Sequence, residues 1–248
     1  MPEKELHKKR IIWLDELRGL TIISMVFYHA MWDIVFLYGR QAMWYKGTFG
    51  FIWQQSICIT FILISGFCFQ MDKHPVKRGL LISFWGIVIS VVTAIVEPSA
   101  IIIFGILTFY GASILIVTLL NKLFCKISSY TGFIISLFLF IITRDLSQGC
   151  LGFAGIRFLE LPDYLYSNII TTFWGFMEPG FYSSDYFPII PWIFLFLTGY
   201  FFYGIFQKSL LRNLDFKRGT FLSELGKHSL VIYILHQPLL SLLFMLIY

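Results

Sequence analysis

Charged residues are scarce in this chain. They make up 13% of the 248 residues, while hydrophobic residues make up 58%; a soluble domain usually has about 25% charged residues. This balance excludes an ordinary soluble domain and indicates an all-α, polytopic helical bundle in a lipid bilayer. The formal net charge of +5 does not indicate a nucleic-acid partner, because the lysines and arginines lie mainly in short loops, where they set membrane orientation.

Several enzyme motifs are also missing. The sequence has no Walker-type loop, dinucleotide fingerprint, HExxH motif or nucleophile elbow. Its few cysteines show no metal-ligand spacing, so we expect buried free thiols and no metal site; they are Cys58, Cys68, Cys125 and Cys150. We expect no cleavable signal peptide, because the first apolar run is too long and lacks a small-residue cleavage site. No repeat divides the chain, so we expect one domain over residues 1–248.

Seven apolar segments are predicted to cross the bilayer. They are Ile11–Leu37, Phe49–Gln70, Gly79–Val96, Ile101–Leu120, Tyr130–Thr143, Phe187–Phe206 and His228–Tyr248. The segment 164–177 is also apolar but has only 14 residues, whereas a span needs about 20. We therefore expect an interfacial or re-entrant segment there, with an eighth span as the alternative.

The loop charges favour seven spans over eight. The basic loops 71–78, 121–129 and 207–227 lie on one side of the bilayer only if residues 164–177 do not cross it. Because basic loops tend to stay in the cytoplasm, we expect a multi-pass protein of the cell membrane whose N-terminus lies in the cytoplasm. The long segment 144–187 and the C-terminus would then lie outside.

The first span carries an unusual stripe of ionisable residues. Asp15 and Arg18 are three residues apart, and His29 and Asp33 are four apart, so each pair can touch on a helix. Arg18 and His29 are eleven residues apart, which places them on one face about 16 Å apart. Ionisable groups at membrane depth are costly and usually face a site or a cavity. The alternative is that they are flanking charges and headgroup-level polar residues.

These residue types suggest an acyl-transfer or proton-transfer site. His29 could act as a general base with Asp33 orienting its ring, or could itself accept an acyl group. Arg18 could bind a phosphate or a carboxylate. The alternatives are a packing role for His29 and a simple ion pair between Arg18 and Asp15.

Two further polar residues lie near the later spans. Asp185 precedes the sixth span and could line the mouth of the acceptor site, or simply start a loop. His236 lies in the seventh span beside Gln237 and Pro238; it could bind substrate, or satisfy the backbone carbonyl that a proline frees.

Three stretches of the sequence resemble a known family. LDELRGLTIISMVFYHAMWD resembles the first helix of the transmembrane acyltransferases, which has an Asp-x-x-Arg-Gly motif and a later histidine in the register of Asp15, Arg18-Gly19 and His29. The stretches Ser183–Phe201 and Leu225–Leu240 resemble bacterial proteins of the heparan-α-glucosaminide N-acetyltransferase catalytic-domain family. Together the three cover most of the chain in order.

The resemblance implies transfer of an acetyl group from acetyl-CoA, held at the cytoplasmic side, to a glycan sugar across the membrane. It places His29 in the catalytic position and Arg18 in the position linked to the acyl donor. Asp15 would hold Arg18. The pairing of Asp33 with His29 comes from spacing alone.

Two other functions compete with this enzyme. A small transporter or permease could use the same stripe as a proton or substrate path, although we see no paired halves of the kind common in transporters. A non-catalytic scaffold predicts instead that the stripe is buried and fully paired. The sequence leaves open the acceptor, N- versus O-acylation and whether the protein is a homodimer.

Overall fold

The computed structural model describes residues 12–209 and 220–247. Its helices and strands are α1 Ile12–Trp32 with a π-helical turn Asp33–Leu37, α2 Met43–Lys46, α3 Thr48–Phe69, α4 Pro75–Val96, α5 Ile106–Phe124, α6 Ser129–Ile142, β1 Cys150–Phe153, β2 Ile156–Glu160, α7 Ile169–Trp174, α8 Ile189–Ser209, α9 Phe221–Lys227 and α10 Ser229–Ile247. The basic N-terminal tail, Lys217 and Arg218 lie outside the described residues, so the orientation predicted from them is not tested.

The all-α, polytopic helical bundle is confirmed. Six of the described helices are long and apolar enough to cross a membrane, namely Ile12–Leu37, Thr48–Phe69, Pro75–Val96, Ile106–Phe124, Ile189–Gln207 and Ser229–Ile247. Their outer surfaces expose large apolar side chains such as Leu119 (82% exposed) and Ile95 (75%), as expected of surfaces that face lipid. The predicted fifth span corresponds to α6, whose 14 residues extend only about 21 Å, less than the roughly 30 Å hydrocarbon core.

The segment between α6 and α8 differs most from expectation. Within residues 164–177 the longest helix is α7, with six residues, or about 9 Å, so the alternative of an eighth helical span is wrong. An antiparallel hairpin of β1 and β2 precedes it, which the sequence analysis did not predict. Its two-residue turn, Ala154-Gly155, has positive φ at both positions, the geometry whose twist matches that of paired strands.

The described residues divide into two compact units: 12–64 with 220–247, and 65–209. In the first, glycines allow α1 and α9 to approach closely. A Cβ on Gly19 would lie 2.0 Å from the carbonyl oxygen of Leu222, and one on Gly226 would lie 1.9 Å from that of Asp15. Backbones can come this close only where the side chain is missing.

Apolar and aromatic contacts hold α3 against α1 in the first unit. Ile22, Met25 and Ile57 form a buried cluster. The indole nitrogen of Trp53 donates a hydrogen bond to Ser24 Oγ over 2.8 Å. These contacts fix α1 along its length between the two pairs of ionisable residues.

The second unit is built around α8, in which Phe196 and Tyr200 are almost fully buried. A Cβ on Gly66 would lie 1.9 Å from the Phe196 carbonyl oxygen, so the end of α3 packs directly on the α8 backbone. Thr198 donates to Ser136 Oγ of α6 over 3.1 Å. The predicted single domain over residues 1–248 stays a prediction.

The start of α5 also differs from the prediction. The fourth span was expected from Ile101, but the helix begins at Ile106. Phe104 has a φ of 56°, which no helix accepts. Residues 101–106 instead bond to residues 183–187, through Ser184 N to Ile101 O and Phe187 N to Phe104 O, both 2.9 Å.

Candidate active site

The candidate site lies in the first unit, where α1 meets α10. His29 is near the C-terminal end of α1, and its ring packs against that of His236, with the centroids 4.7 Å apart and the planes at 61°. Tyr28 packs edge-on to His29 at 5.9 Å. The fold therefore brings together two histidines that the sequence analysis assigned to different roles.

Asp33 is fully buried, at 0% exposure, but its partner is not the one predicted. Its Oδ1 accepts a hydrogen bond from Gln237 Nε2 over 2.8 Å, and its Oδ2 has no hydrogen-bond partner among the described residues. The predicted contact with His29 assumed a regular helix, whereas the wider π turn begins at Asp33 itself. Such turns occur often at functional sites. A catalytic role for Asp33 stays a prediction.

His236 is 8% exposed, and one of its two ring nitrogens has a hydrogen-bond partner. Nδ1 lies 2.5 Å from the carbonyl oxygen of Tyr233. A carbonyl oxygen can only accept, so in the neutral ring Nδ1 carries the hydrogen and Nε2 carries the lone pair. Within the described residues, neither Nε2 of His236 nor Oε1 of Gln237 has a hydrogen-bond partner.

Asp15 and Arg18 form the predicted pair at the other end of α1. Arg18 Nη1 lies 3.0 Å from Asp15 Oδ1, with side chains 18% and 6% exposed. The α9 backbone passes directly over this turn at Gly19 and Asp15. Arg18 and His29 belong to one unbroken helix, which sets them about 16 Å apart along its axis.

Asp185 lies in the second unit, where it bonds to the start of α5. Its Oδ2 accepts from the backbone N–H of Ile106 over 3.1 Å, and Ser183 Oγ accepts from Ile103 N over 2.9 Å. Burial raises the pKa of Asp185 to about 6, although the hydrogen bond from Ile106 acts in the opposite direction. The structure therefore gives this carboxylate a helix-capping contact; substrate binding by Asp185 stays a prediction.

Gln237, Tyr233 and Tyr45 are the residues that sequence reasoning did not assign to the site. The Tyr45 hydroxyl donates to the Tyr28 carbonyl oxygen over 3.0 Å, and burial raises the pKa of Tyr45. For Gln237 a signal existed: two adjacent polar side chains, His236-Gln237, stand in an apolar helix, where polar groups are costly. No group of His, Cys, Asp or Glu suited to hold a metal ion occurs in the described ranges.

Comparison with known protein families finds a match over nearly the whole chain. The family described as "Heparan-alpha-glucosaminide N-acetyltransferase, catalytic" matches residues 10–238. The matched range includes both ends of the stripe on α1 and also His236 and Gln237. No curated protein and no solved structure matches the chain.

Proposed function

The chain belongs to the family of the heparan-alpha-glucosaminide N-acetyltransferase catalytic region, and from this premise we propose that it transfers an acetyl group from acetyl-CoA to a glycan sugar. The family is one of membrane acyltransferases, and the described residues hold six helices long and apolar enough to cross a membrane, which supports a multi-pass membrane protein. The acetyl donor and the sugar acceptor, at an amine or a hydroxyl, are our proposal.

The observation that carries the proposal is the arrangement of α1. One helix holds a guanidinium group near one end and a half-buried histidine near the other, about 16 Å away. A guanidinium binds phosphate oxygens well, and the Asp15 carboxylate holds that of Arg18 in place. An extended pantetheine arm is long enough to join the two ends. When bound, the thioester would supply an activated acyl group.

The acyl transfer itself would take place at the end of α1 that carries His29. His29 is proposed to act on the acyl transfer either as a general base or as the group that accepts the acyl. The rings of Tyr28 and His236 pack against that of His29, and hydrogen bonds are stronger in such an apolar setting than in water. Asp33, His236 and Gln237 each have a buried polar atom with no hydrogen-bond partner in the part of the chain that the structure describes. This argues against a scaffold, in which we expect buried polar groups to be paired.

The loop charges support an orientation with the N-terminus in the cytoplasm of the cell. The described loops before α4 and after α5, together with the adjoining helix ends, carry Lys73, Lys77, Lys122 and Lys126. Two spans separate these loops, so they share one side of the membrane, and basic loops favour the cytoplasm. Arg18 would then lie near the cytoplasmic side with the donor, and His29 nearer the glycan.

The test is acetyl-CoA binding and release of free CoA thiol by the purified protein in detergent. We expect His29→Ala to bind acetyl-CoA but to release no thiol above background. Arg18→Lys keeps the charge but loses the planar, forked donor, so we expect weaker acetyl-CoA binding.

His74→Ala and Arg157→Lys are matched controls, since both side chains are exposed; they should behave as wild type. Failure of the wild-type protein to bind acetyl-CoA would refute the proposal and favour a transporter or a scaffold.

A further inference from the structure

Three buried atoms on facing helices have no hydrogen-bond partner among the described residues: Asp33 Oδ2, His236 Nε2 and Gln237 Oε1. The carboxylate and the amide oxygen can accept hydrogen bonds, and so can Nε2 of His236 in the tautomer that Tyr233 imposes. A buried acceptor without a hydrogen-bond partner has lost its hydration without compensation, which is costly. Such a set therefore suits a bound group that donates hydrogen bonds.

The tautomer of His236 is fixed, while that of His29 is not. Nδ1 of His236 donates to the Tyr233 carbonyl oxygen at 2.5 Å. Asp33, the residue expected to fix His29, bonds to Gln237 instead. Of the two histidines, His236 is thus the one whose basic nitrogen, Nε2, can be identified from the described structure.

We propose that His236 is a second catalytic histidine, whose Nε2 takes the proton from the acceptor's nucleophilic hydroxyl or amine. This inference rests on the proposed acyl transfer and adds to it the destination of the proton. It gives the general-base role to His236 and leaves His29 the other proposed role, that of accepting the acyl group from the thioester. The direct neighbours of His236 that can titrate are His29, with ring centroids 4.7 Å away, and Tyr233, at 5.5 Å. Asp33 does not contact His236 through a hydrogen bond but accepts one from Gln237, the next residue of α10.

The step balances with the groups named. The acyl carbon bonds to a ring nitrogen of His29 while the carbon–sulfur bond of the thioester breaks and its electron pair leaves on the thiolate. The oxygen or nitrogen of the acceptor then bonds to the acyl carbon, and the electron pair of the carbon–nitrogen bond returns to His29. The proton of the acceptor moves to His236 Nε2 and then to the thiolate or to water. Asp33 Oδ2 and Gln237 Oε1 can accept hydrogen bonds from the other hydrogens of the acceptor and so orient it.

His236→Asn separates this role from a structural one. The asparagine amide nitrogen can occupy the place of Nδ1 and keep the bond to Tyr233, but no basic nitrogen remains at the place of Nε2. With acetyl-CoA as donor and water as acceptor, we expect thiol release to fall by about 10²–10⁴, the usual contribution of a general base. Acetyl-CoA binding should be unchanged, and added imidazole should restore part of the rate. His228→Asn is the matched control, because His228 is exposed.

Wild-type thiol release by His236→Asn would overturn the inference while leaving the acyltransferase proposal intact. A lower rate that imidazole does not raise would also overturn it, since a purely structural defect gives that result. If His236→Asn unfolds at a lower temperature than wild type, His236→Gln, which places an amide near Nε2, is measured in its place with the same expected loss and rescue. Absence of acetyl-CoA binding by the wild-type protein would refute both proposals together.

Discussion

Replacing Gly226 by alanine tests whether the close contact of α1 and α9 holds the Asp15–Arg18 pair in position. The new Cβ would lie 1.9 Å from the Asp15 carbonyl oxygen, whereas real Cβ contacts are essentially never closer than 3.0 Å. The two backbones must therefore separate by at least about 1.1 Å at this point. Neither can yield by a side-chain rotation, because both groups in contact are fixed to the main chain.

Forced overpacking of this kind costs about 1–3 kcal/mol. For a chain of this size, each kcal/mol shifts the unfolding midpoint by about 2–4 °C, so we expect Gly226→Ala to unfold roughly 2–12 °C below wild type in detergent. The displaced turn carries Arg18, so acetyl-CoA binding should weaken as well. Gly47→Ala is the control in the same unit, because its nearest contact is at 3.3 Å and needs an adjustment of only a few tenths of an ångström.

Unfolding and acetyl-CoA binding equal to wild type in Gly226→Ala would refute the reasoning. It would mean that α9 can move away from α1 without cost, and that the turn of Asp15 is not positioned by this contact.

Three other substitutions give independent tests. Asp185→Asn keeps the acceptor for the Ile106 N–H but cannot ionise. Because the folded pKa of about 6 exceeds the unfolded value of about 3.9, wild-type stability should fall as pH rises from about 4 to 6; the variant should lack this fall, as thermal unfolding across pH would show. Ala154→Asn should stabilise the hairpin by up to about 1 kcal/mol, since asparagine tolerates the positive φ of 53° far better than alanine, and hydrogen exchange of β1 and β2 should slow. Phe196→Ala removes a ring with 0% exposure and should cost about 3–5 kcal/mol, measured by unfolding in detergent; a loss below about 1 kcal/mol would contradict the packing of α8.

The sequence predicted the parts of the molecule that depend on local spacing. The Asp15–Arg18 contact follows from a three-residue separation on a helix, and the spans follow from runs of apolar residues. The contact of His29 with His236 could not be predicted, because it joins helices at opposite ends of the chain. The pairing of Asp33 with Gln237 could not be predicted either, since hydropathy carries no sign of a π turn. The hairpin was missed because Ala154-Gly155 is a weak turn signal compared with Asn-Gly.

The bonds at the start of α5 have a consequence for the order of synthesis. Ile103 and Ile106 donate their N–H groups to Ser183 and Asp185, which the ribosome adds about 80 residues later. The ribosome synthesises the chain from its N-terminus at about 5–20 residues per second. The first turn of α5 therefore exists for several seconds before these acceptors have been synthesised. The loop between α4 and α5 therefore cannot take its final form when these two helices have just been synthesised, and the translation of residues 183–187 sets the earliest moment at which it can.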